Sequence, residues 1–503
     1  MEEVPLLTEE KLQRKWIAPN WNLFLAELKR VSYIALPMVV VNVSQLFLRL
    51  VSMMMVGHLS ELEFAGASIA ISVTNATGFS VLFGMASALE TLCGQAYGAG
   101  LYHKLGIYTY GAIVSLVLVC LPISILWIFM DKLLVMVGQD ELISYEAGKF
   151  TIWLIPSLFP YAILQAQIRY LQTQSLILPM LLSSVAALVF HVPVCWGLAF
   201  YFRLGNAGAA LAMGLSNWFN VILIFMYAKY AAEFEKTRLA FSKDVFSSIG
   251  EFFRFAVPSS VMVCLEWWTY ETVILLSGLL PNPQRETSVL SICLLIAAFH
   301  YYVPFSLGAA ASTRVSNELG AGNPGAAKMV VWAVIAISMA EAIMASAAVS
   351  GCRKFLGYAF SNEKEVVEYF MKVSPLVCLV LITDGIQTVL SGVARGCGWQ
   401  HLGAYVNLGA FYLAGIPVST VLGFVIHLNG VGLWLGLNAG SAVQSVLLGL
   451  ITSFTNWKKE AIAARGRMFD ASSFPDVEYS KSAHVPENQD RGEPSYSNKI
   501  QDL

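Results

Sequence analysis

Twelve stretches of more than twenty predominantly apolar residues follow one another along this chain. An α-helix needs about 20 apolar residues to cross a bilayer, so each stretch is long enough for one transmembrane helix. Only 13% of the 503 residues are charged, whereas a soluble domain carries roughly 25%. The chain is therefore predicted to be an all-α, polytopic membrane protein, which excludes a soluble enzyme. The stretches are 32–56, 65–89, 106–130, 150–172, 176–201, 207–228, 252–279, 288–312, 326–350, 366–391, 402–426 and 430–454.

The charged residues indicate how the chain is oriented in the membrane. Residues 1–30 and 457–503 hold 25 of the 64 Lys, Arg, Asp and Glu residues. With both termini on one side, that side collects 21 Lys and Arg residues against 7 on the other. Because positively charged loops stay cytoplasmic, both termini are predicted to be cytoplasmic. Either the plasma membrane or the vacuolar membrane is compatible with this bias.

The two halves of the chain resemble each other at a near-constant offset. Pro37 corresponds to Pro258, and residues 98–100 correspond to residues 320–322. Because each half has six spans, the halves are expected to be related by a pseudo-two-fold axis along the membrane normal, with a central cleft between them. The predicted parts are a cytoplasmic tail (1–31), an N-lobe (32–228), a cytoplasmic linker (229–251), a C-lobe (252–455) and a disordered cytoplasmic tail (456–503).

Several function classes find no support in the sequence. The eight cysteines are spread singly, with no CxxC pair and no histidine at ligand spacing, which argues against a disulfide framework or a zinc site. No GxSxG or HExxH motif is present. Basic residues are dispersed, so nucleic acid is not expected to be a partner. The chain is predicted to be a monomer in the lipid bilayer, without a cofactor or metal and without enzyme activity.

Three segments carry a family resemblance: residues 90–100 (ETLCGQAYGAG), 314–324 (RVSNELGAGNP) and 394–400 (ARGCGWQ). Together they resemble the multidrug and toxic compound extrusion (MATE) transporters, most closely the plant detoxification branch, over roughly residues 30–455. The resemblance implies an antiporter that expels small organic molecules in exchange for protons or sodium ions. Bacterial members usually carry an aspartate in the first span where this chain has Ser52. The acids of the C-lobe are therefore the candidates for ion coupling.

Acidic residues deep inside apolar spans are costly and are functional candidates by default. Glu266 lies in the seventh span and Asp384 in the tenth, each about eight or nine residues beyond a proline, Pro258 or Pro375. Burial favours the neutral form of a carboxyl group, whereas a nearby organic cation favours the ionised form. We therefore predict that Glu266 and Asp384 form a proton-coupling site at which a proton and a cationic substrate compete.

Further side chains near these acids are candidates for contact with the substrate. Tyr270 lies four residues after Glu266, on the same face of the helix, whereas Glu271 is expected on a different face. The candidates for the proton network or the substrate are Glu271, Tyr270, Asn407 and Tyr412. The candidate aromatic surfaces for a flat cation are Trp267, Trp268, Tyr301 and Tyr302.

Other charged residues are given structural roles. Arg49 lies toward the end of the first span, where a long cationic side chain can extend to the membrane interface. Glu90, Arg169, Arg314 and Arg395 lie near the cytoplasmic ends of spans and are expected to fix loop geometry and topology.

The function favoured by the sequence is export of organic compounds, mainly cations or plant secondary metabolites, by proton-coupled antiport and alternating access. Two alternatives in the same superfamily are an exporter of organic anions such as citrate and a flippase for lipid intermediates. Citrate exporters tend to have a long loop between the second and third spans, and here that loop is short. Sodium coupling stays open, and the physiological substrate is not determined.

Overall fold

The structure, a computed structural model, describes residues 21–238 and 242–469. Among these residues the regular secondary structure is all helical, and twelve helices are long and apolar enough to cross a membrane. The predicted all-α class and the number of spans are confirmed. The helices are α1 Trp21–Gly57, α2 Glu61–Gly98, α3 Tyr102–Ile128, α4 Glu141–Thr173, α5 Ile177–Tyr201, α6 Gly205–Tyr230, α7 Asp244–Ser277, α8 Arg285–Gly320, α9 Pro324–Phe360, α10 Lys364–Cys397, α11 Gln400–Val425 and α12 Asn429–Phe454.

Three helices, α1, α4 and α7, begin eight or more residues before their apolar stretches. Helix α1 begins at Trp21 and α7 at Asp244, so the predicted boundaries at residues 32 and 252 fall inside helices. The early turns are helical because they are packed against protein and keep polar partners. Glu27 in α1, for example, is fully buried and pairs with Arg314 of α8 at 2.9 Å. The segment between α6 and α7 is correspondingly shorter than the predicted linker.

The first helix of each half packs against the other half. Val31 and Met38 of α1 belong to the same buried cluster as Val330 of α9. In the equivalent way, Phe252 of α7 belongs to the same buried cluster as Leu89 of α2. Because each of these two helices packs against the other half, α1 and α7 lie at the boundary between the lobes, where both helices can line a central space.

The internal repeat is visible in two reciprocal contacts made by glycines. A Cβ atom added to Gly98 at the end of α2 would stand 2.0 Å from the carbonyl oxygen of Asn317. A Cβ atom added to Gly320 at the end of α8 would stand 2.2 Å from the carbonyl oxygen of Gln95. The two contacts are related by one sequence offset, and each joins one lobe to the other. This reciprocity is what a pseudo-two-fold axis between α2 and α8 produces.

The same repeat recurs inside each lobe. Gly208 of α6 packs against the backbone of Leu198, and Gly432 of α12 packs against the backbone of Leu422, in each case with no room for a side chain. Both contacted leucines lie in the π-helical turns that end α5 and α11. The predicted correspondence between the two halves therefore extends to local backbone geometry.

A thirteenth helix, α13 (Trp457–Phe469), follows the last span. The prediction assigned residues 456–503 to a disordered tail, which is wrong for this helix, whereas residues 470–503 lie outside the described residues. Lys104 of the N-lobe donates to the carbonyl oxygen of Met468 at 2.8 Å, and Trp399 of the C-lobe donates to Glu460 at 3.1 Å. Helix α13 therefore touches both lobes on the side where α1 begins, which we call the terminal side.

Candidate functional site

A cavity of about 350 Å³ lies between the two lobes. It reaches from the middle of the helices toward the side opposite the termini, because Ile274, near the far end of α7, belongs to its wall. The polar residues of the N-lobe wall are Asn42, Gln45, Arg49, Asn75, Ser157, Tyr161 and Asn217. The polar and aromatic residues of the C-lobe wall include Glu266, Trp267, Tyr270, Glu271, Tyr301, Tyr302 and Asp384.

The structure brings Glu266 and Asp384 together, as the sequence predicted for helices α7 and α10. Gln387 bridges them, since its side-chain nitrogen donates to Glu266 Oε1 at 3.2 Å and to Asp384 Oδ1 at 2.7 Å. Tyr270 donates from its hydroxyl to the same Asp384 oxygen at 2.9 Å. Glu266 is 6% exposed and Asp384 is 4% exposed. Two nearly buried carboxyl groups therefore share one hydrogen-bond network at the edge of the cavity.

Gln387 is the member of this network that sequence reasoning missed. It lies three residues after Asp384, on the same face of α10, and it is fully buried. The spacing of three residues from Asp384 was the signal in the sequence. A neutral amide inside a span is a weaker indication of a functional site than an acid, because burying it costs less free energy. Its role is geometric, because one amide nitrogen can hold two carboxylate oxygens within a single network.

Glu271 also borders the cavity, although it lies about 140° around α7 from Glu266. Both residues line the space because the cavity wraps around this helix. Ser72 of the N-lobe donates to Glu271 Oε2 at 3.2 Å, which joins the two lobes. Glu271 is thus an acid of the cavity wall that lies nearer the far side than the Glu266 and Asp384 pair.

Three of the four predicted aromatic surfaces face the cavity. Trp267 lines it and stacks on Phe83 of the N-lobe with ring centroids 5.4 Å apart, while Tyr301 and Tyr302 line it from α8. Trp268 does not belong to the wall. It is 40% exposed and donates from its indole nitrogen to the carbonyl oxygen of Ala76 at 3.1 Å. Trp268 lies about 100° further around α7 than Trp267, which takes it outside the arc that the lining residues of this helix occupy.

Asn407 and Tyr412 of α11 are not part of the cavity wall. Asn407 is fully buried, donates to the carbonyl oxygen of Met262 at 2.7 Å and accepts from Gln444 at 2.7 Å. These bonds tie α11 to α7 and α12 within the C-lobe. A direct contact between Asn407 and a molecule in the cavity is therefore not supported by the geometry.

Arg49 does not extend to the membrane interface, so that expectation is wrong. Its side chain lines the central cavity and donates from Nη2 to the hydroxyl oxygen of Tyr302 at 3.4 Å. Asn42, Gln45 and Arg49 follow a spacing of three and four residues, which puts them on one face of α1. That spacing was the sequence signal for a polar wall. It indicates the location of the Arg49 side chain better than the position of Arg49 near the end of the apolar stretch does.

The position where the resemblance places an acid in bacterial members is occupied by a buried hydroxyl. Ser52 is fully buried and lies 3.0 Å from Nε2 of His191, whose Nδ1 lies 2.9 Å from the hydroxyl of Ser216. The wall contributed by the N-lobe contains no carboxylate among the described lining residues. The three acids found among the described residues of the wall, Glu266, Glu271 and Asp384, come from the C-lobe.

On the terminal side, buried charges join the lobes. Glu90 of α2 pairs through Oε2 with Arg395 of α10 at 2.9 Å and through Oε1 with Arg169 of α4 at 3.4 Å. Thr91 donates to the carbonyl oxygen of Arg395, and Gln95 donates to the carbonyl oxygen of Gly396 at 3.2 Å. The predicted loop-fixing role was therefore too narrow, because these residues hold α2 against α10 and close the space between the lobes on this side.

Two six-helix lobes around a charged central cavity that is closed on one side define the class of the protein as a membrane transporter. The MatE family model matches residues 37–196 and 258–421, one segment in each lobe. The chain belongs to the MatE family. The resemblance found in the sequence is confirmed, and membership of a transporter family also supports the exclusion of an enzyme.

Individual relatives are similar over most of their length. Protein DETOXIFICATION 14 from Arabidopsis thaliana is 54% identical over 445 residues, which cover 88% of this chain and 92% of the relative. Protein DETOXIFICATION 12 from the same plant is 53% identical with the same coverage. The crystal structure of the eukaryotic MATE transporter AtDTX14 superimposes with a TM-score of 0.85 at 53% identity, covering 89% of this chain and 100% of that one.

Proposed function

We propose that the protein exports organic compounds, mainly cations, in exchange for protons by alternating access. The observation that carries the proposal is the Glu266 and Asp384 pair, which borders the central cavity. Neither carboxylate lies within 4.0 Å of a Lys or Arg nitrogen in the described part of the chain, whereas Glu90 pairs with two arginines. Acids without a fixed cation are free to exchange a proton for a cationic substrate.

Competition between proton and substrate follows from electrostatics. An ionised carboxylate away from water is unfavourable unless a positive charge or a proton joins it. Glu266 and Asp384 share Gln387 and lie in one network, so ionising both at once is less favourable still. A cationic substrate stabilises the ionised pair, and protonation removes the attraction and releases the substrate.

The asymmetry of the molecule supports the direction of transport. The lobes are closed on the terminal side by Glu90 and its partners, and the cavity extends toward the other side. Under the proposed orientation, with the termini in the cytoplasm, this arrangement is the outward-open state. Substrate release would occur here, driven by proton uptake at Glu266 and Asp384 from the acidic side of the membrane.

The test is proton-driven uptake of a fluorescent organic cation into proteoliposomes under an imposed pH gradient. Wild type is compared with Glu266→Gln and Asp384→Asn, and both variants are expected to lose transport driven by the gradient. The matched control is Glu368→Gln, which removes an exposed acid on the same helix as Asp384. A sodium gradient without a pH gradient separates the two coupling ions. Wild-type transport in both carboxylate variants would contradict the proposal.

A further inference from the structure

Arg49 is the only Lys or Arg among the described residues that line the central cavity. Its one hydrogen bond goes to the neutral hydroxyl of Tyr302 at 3.4 Å, and it forms no ion pair within the described part of the chain. The buried arginines of the terminal side behave differently, since Arg169 and Arg395 share the carboxylate of Glu90. Arg49 is therefore a cation in the protein interior without an anion of its own.

Such an arrangement has an energetic cost that calls for an explanation. Charged side chains within transmembrane helices are rare, and they usually pair with one another or serve a pathway for a charged ligand. Arg49 lies eight positions before Gly57, the end of α1, which places it about 12 Å from that end. The side chain faces the cavity and not the interface. An anion that arrives from outside the protein would supply the missing partner.

The two walls of the cavity carry opposite charges. Glu266, Glu271 and Asp384 form the acidic wall on the C-lobe side, while Arg49 and neutral amides such as Asn42 and Gln45 form the N-lobe side. The cavity is therefore electrically bipolar. A ligand with a cation at one end and an anion at the other matches both walls, whereas a simple cation leaves Arg49 without a counter-charge.

We infer that Arg49 binds an anionic group of the substrate, and that the cavity selects amphoteric aromatic compounds with a carboxylate at one end and a cationic group at the other. The volume of about 350 Å³ falls in the range of roughly 300–1,000 Å³ that small-molecule sites occupy. The guanidinium group suits this role because its planar donors can hold both oxygens of a carboxylate. The inference concerns the cavity of the proposed function and adds a second charge to its substrate.

A pair of dyes that differ in one group tests this selectivity. Rhodamine 110 carries a free carboxylate beside its cationic ring system, and rhodamine 123 is its methyl ester and keeps only the cation. Equilibrium binding of both dyes to the purified full chain is measured by fluorescence polarisation for wild type, Arg49→Gln and Arg49→Lys. Arg353→Gln, at an exposed position of α9, is the control for loss of one positive charge.

Arg49→Gln is expected to weaken binding of rhodamine 110 by roughly ten- to hundredfold, since a charge-assisted hydrogen bond is lost. Binding of rhodamine 123 is expected to change less than about threefold, which also shows that the variant is folded. Arg49→Lys should recover part of the loss because the charge remains. An equal loss for both dyes, or no loss for either, overturns the inference.

The outcome for Arg49 is separate from the outcome for the proposed function. Binding of the dyes needs no proton gradient, so the selectivity of Arg49 can be measured even if transport is not coupled to protons. If wild type binds both dyes but a pH gradient drives neither, the proposed function fails and the selectivity result stands. If the gradient drives both dyes and Arg49→Gln does not separate them, the inference fails alone.

Discussion

The N-lobe and the C-lobe share one architecture but divide the charges of the cavity between them. The reciprocal contacts of Gly98 and Gly320 show how closely the two backbones correspond. Yet the described acids of the cavity wall all come from the C-lobe, and its single arginine comes from the N-lobe. A repeated fold therefore constrains the positions of helices and leaves the chemistry of each helix face free to differ.

Shared architecture and divided charge predict different consequences for substitutions. Substitutions at contacts that the repeat relates should have matching effects in both lobes. Substitutions in the cavity should affect the lobes unequally, because only one wall carries the acids.

Glu90→Gln removes the anion that holds the lobes together on the terminal side. Arg169 and Arg395 are 3% and 6% exposed, so both would keep buried charges without a counter-charge. Breaking a buried ion pair by removing one partner costs about 3–5 kcal/mol, and the free energy of unfolding in detergent should fall by that order. The exposed control Glu368→Gln should change it by less than about 0.5 kcal/mol. Equal stability of the two variants would contradict the burial of this cluster.

Gly98→Ala and Gly320→Ala test the symmetric half of the comparison. In each variant the new methyl group meets a backbone oxygen of the other lobe, so the lobes must move apart. Overpacking of this kind costs about 1–3 kcal/mol, and the loss of thermal stability should be similar in both variants. Gly325→Ala is the control, because no atom lies within 4 Å of its added Cβ. A loss of thermal stability in only one of the two variants would argue against the pseudo-two-fold relation.

Tyr270→Phe and Tyr161→Phe test the asymmetric half. Both tyrosines line the cavity, but Tyr270 donates to Asp384 at 2.9 Å from the C-lobe wall, whereas Tyr161 lies in the N-lobe wall. Losing a hydrogen bond to a carboxylate costs roughly 1.5–3 kcal/mol, which predicts at least a tenfold fall in the rate of transport driven by a pH gradient. Tyr161→Phe should change that rate less than about threefold. Equal effects would show that the proton network is not confined to the C-lobe.

Trp267→Leu and Trp268→Leu give the smallest expected difference and sharpen the boundary of the site. Trp267 lines the cavity and stacks on Phe83, while Trp268 faces away from it. Aromatic pairs contribute about 0.5–1.5 kcal/mol, so Trp267→Leu should weaken binding of rhodamine 123 by roughly two- to tenfold. Trp268→Leu should leave the affinity close to that of wild type. The reverse order would place the substrate at the outer face of α7.

Much of this organisation could be predicted from the sequence because hydropathy and helical spacing are local properties. The lengths of the apolar stretches predict the spans, and the scarcity of acids inside them singles out Glu266 and Asp384. The six-plus-six repeat then indicates a cleft between two lobes, and acids on two helices of the same lobe can lie together at its wall. These inferences need no knowledge of how each helix is rotated about its axis.

The rest depends on rotation and packing, which a single sequence does not specify. Arg49 was assigned to the interface because its position along the span is near the end, but the direction of its side chain decides its role. Trp267 and Trp268 are equivalent in composition and differ only in direction. Helix α13 was missed because its residues are polar enough to suggest a tail, and its burial depends on contacts with Lys104 and Trp399 far away in the sequence.

The shared carboxylate of Glu90 has a consequence for how the lobes can separate. Glu90 and Arg169 belong to the N-lobe and Arg395 belongs to the C-lobe. Under the proposed alternating access, opening of the terminal side would separate Glu90 from Arg395 but not from Arg169, so the carboxylate would keep one counter-charge. Water then has to solvate one guanidinium group only. The cluster would lose one of its two ion pairs and keep the other, which costs less than leaving the buried carboxylate without any counter-charge.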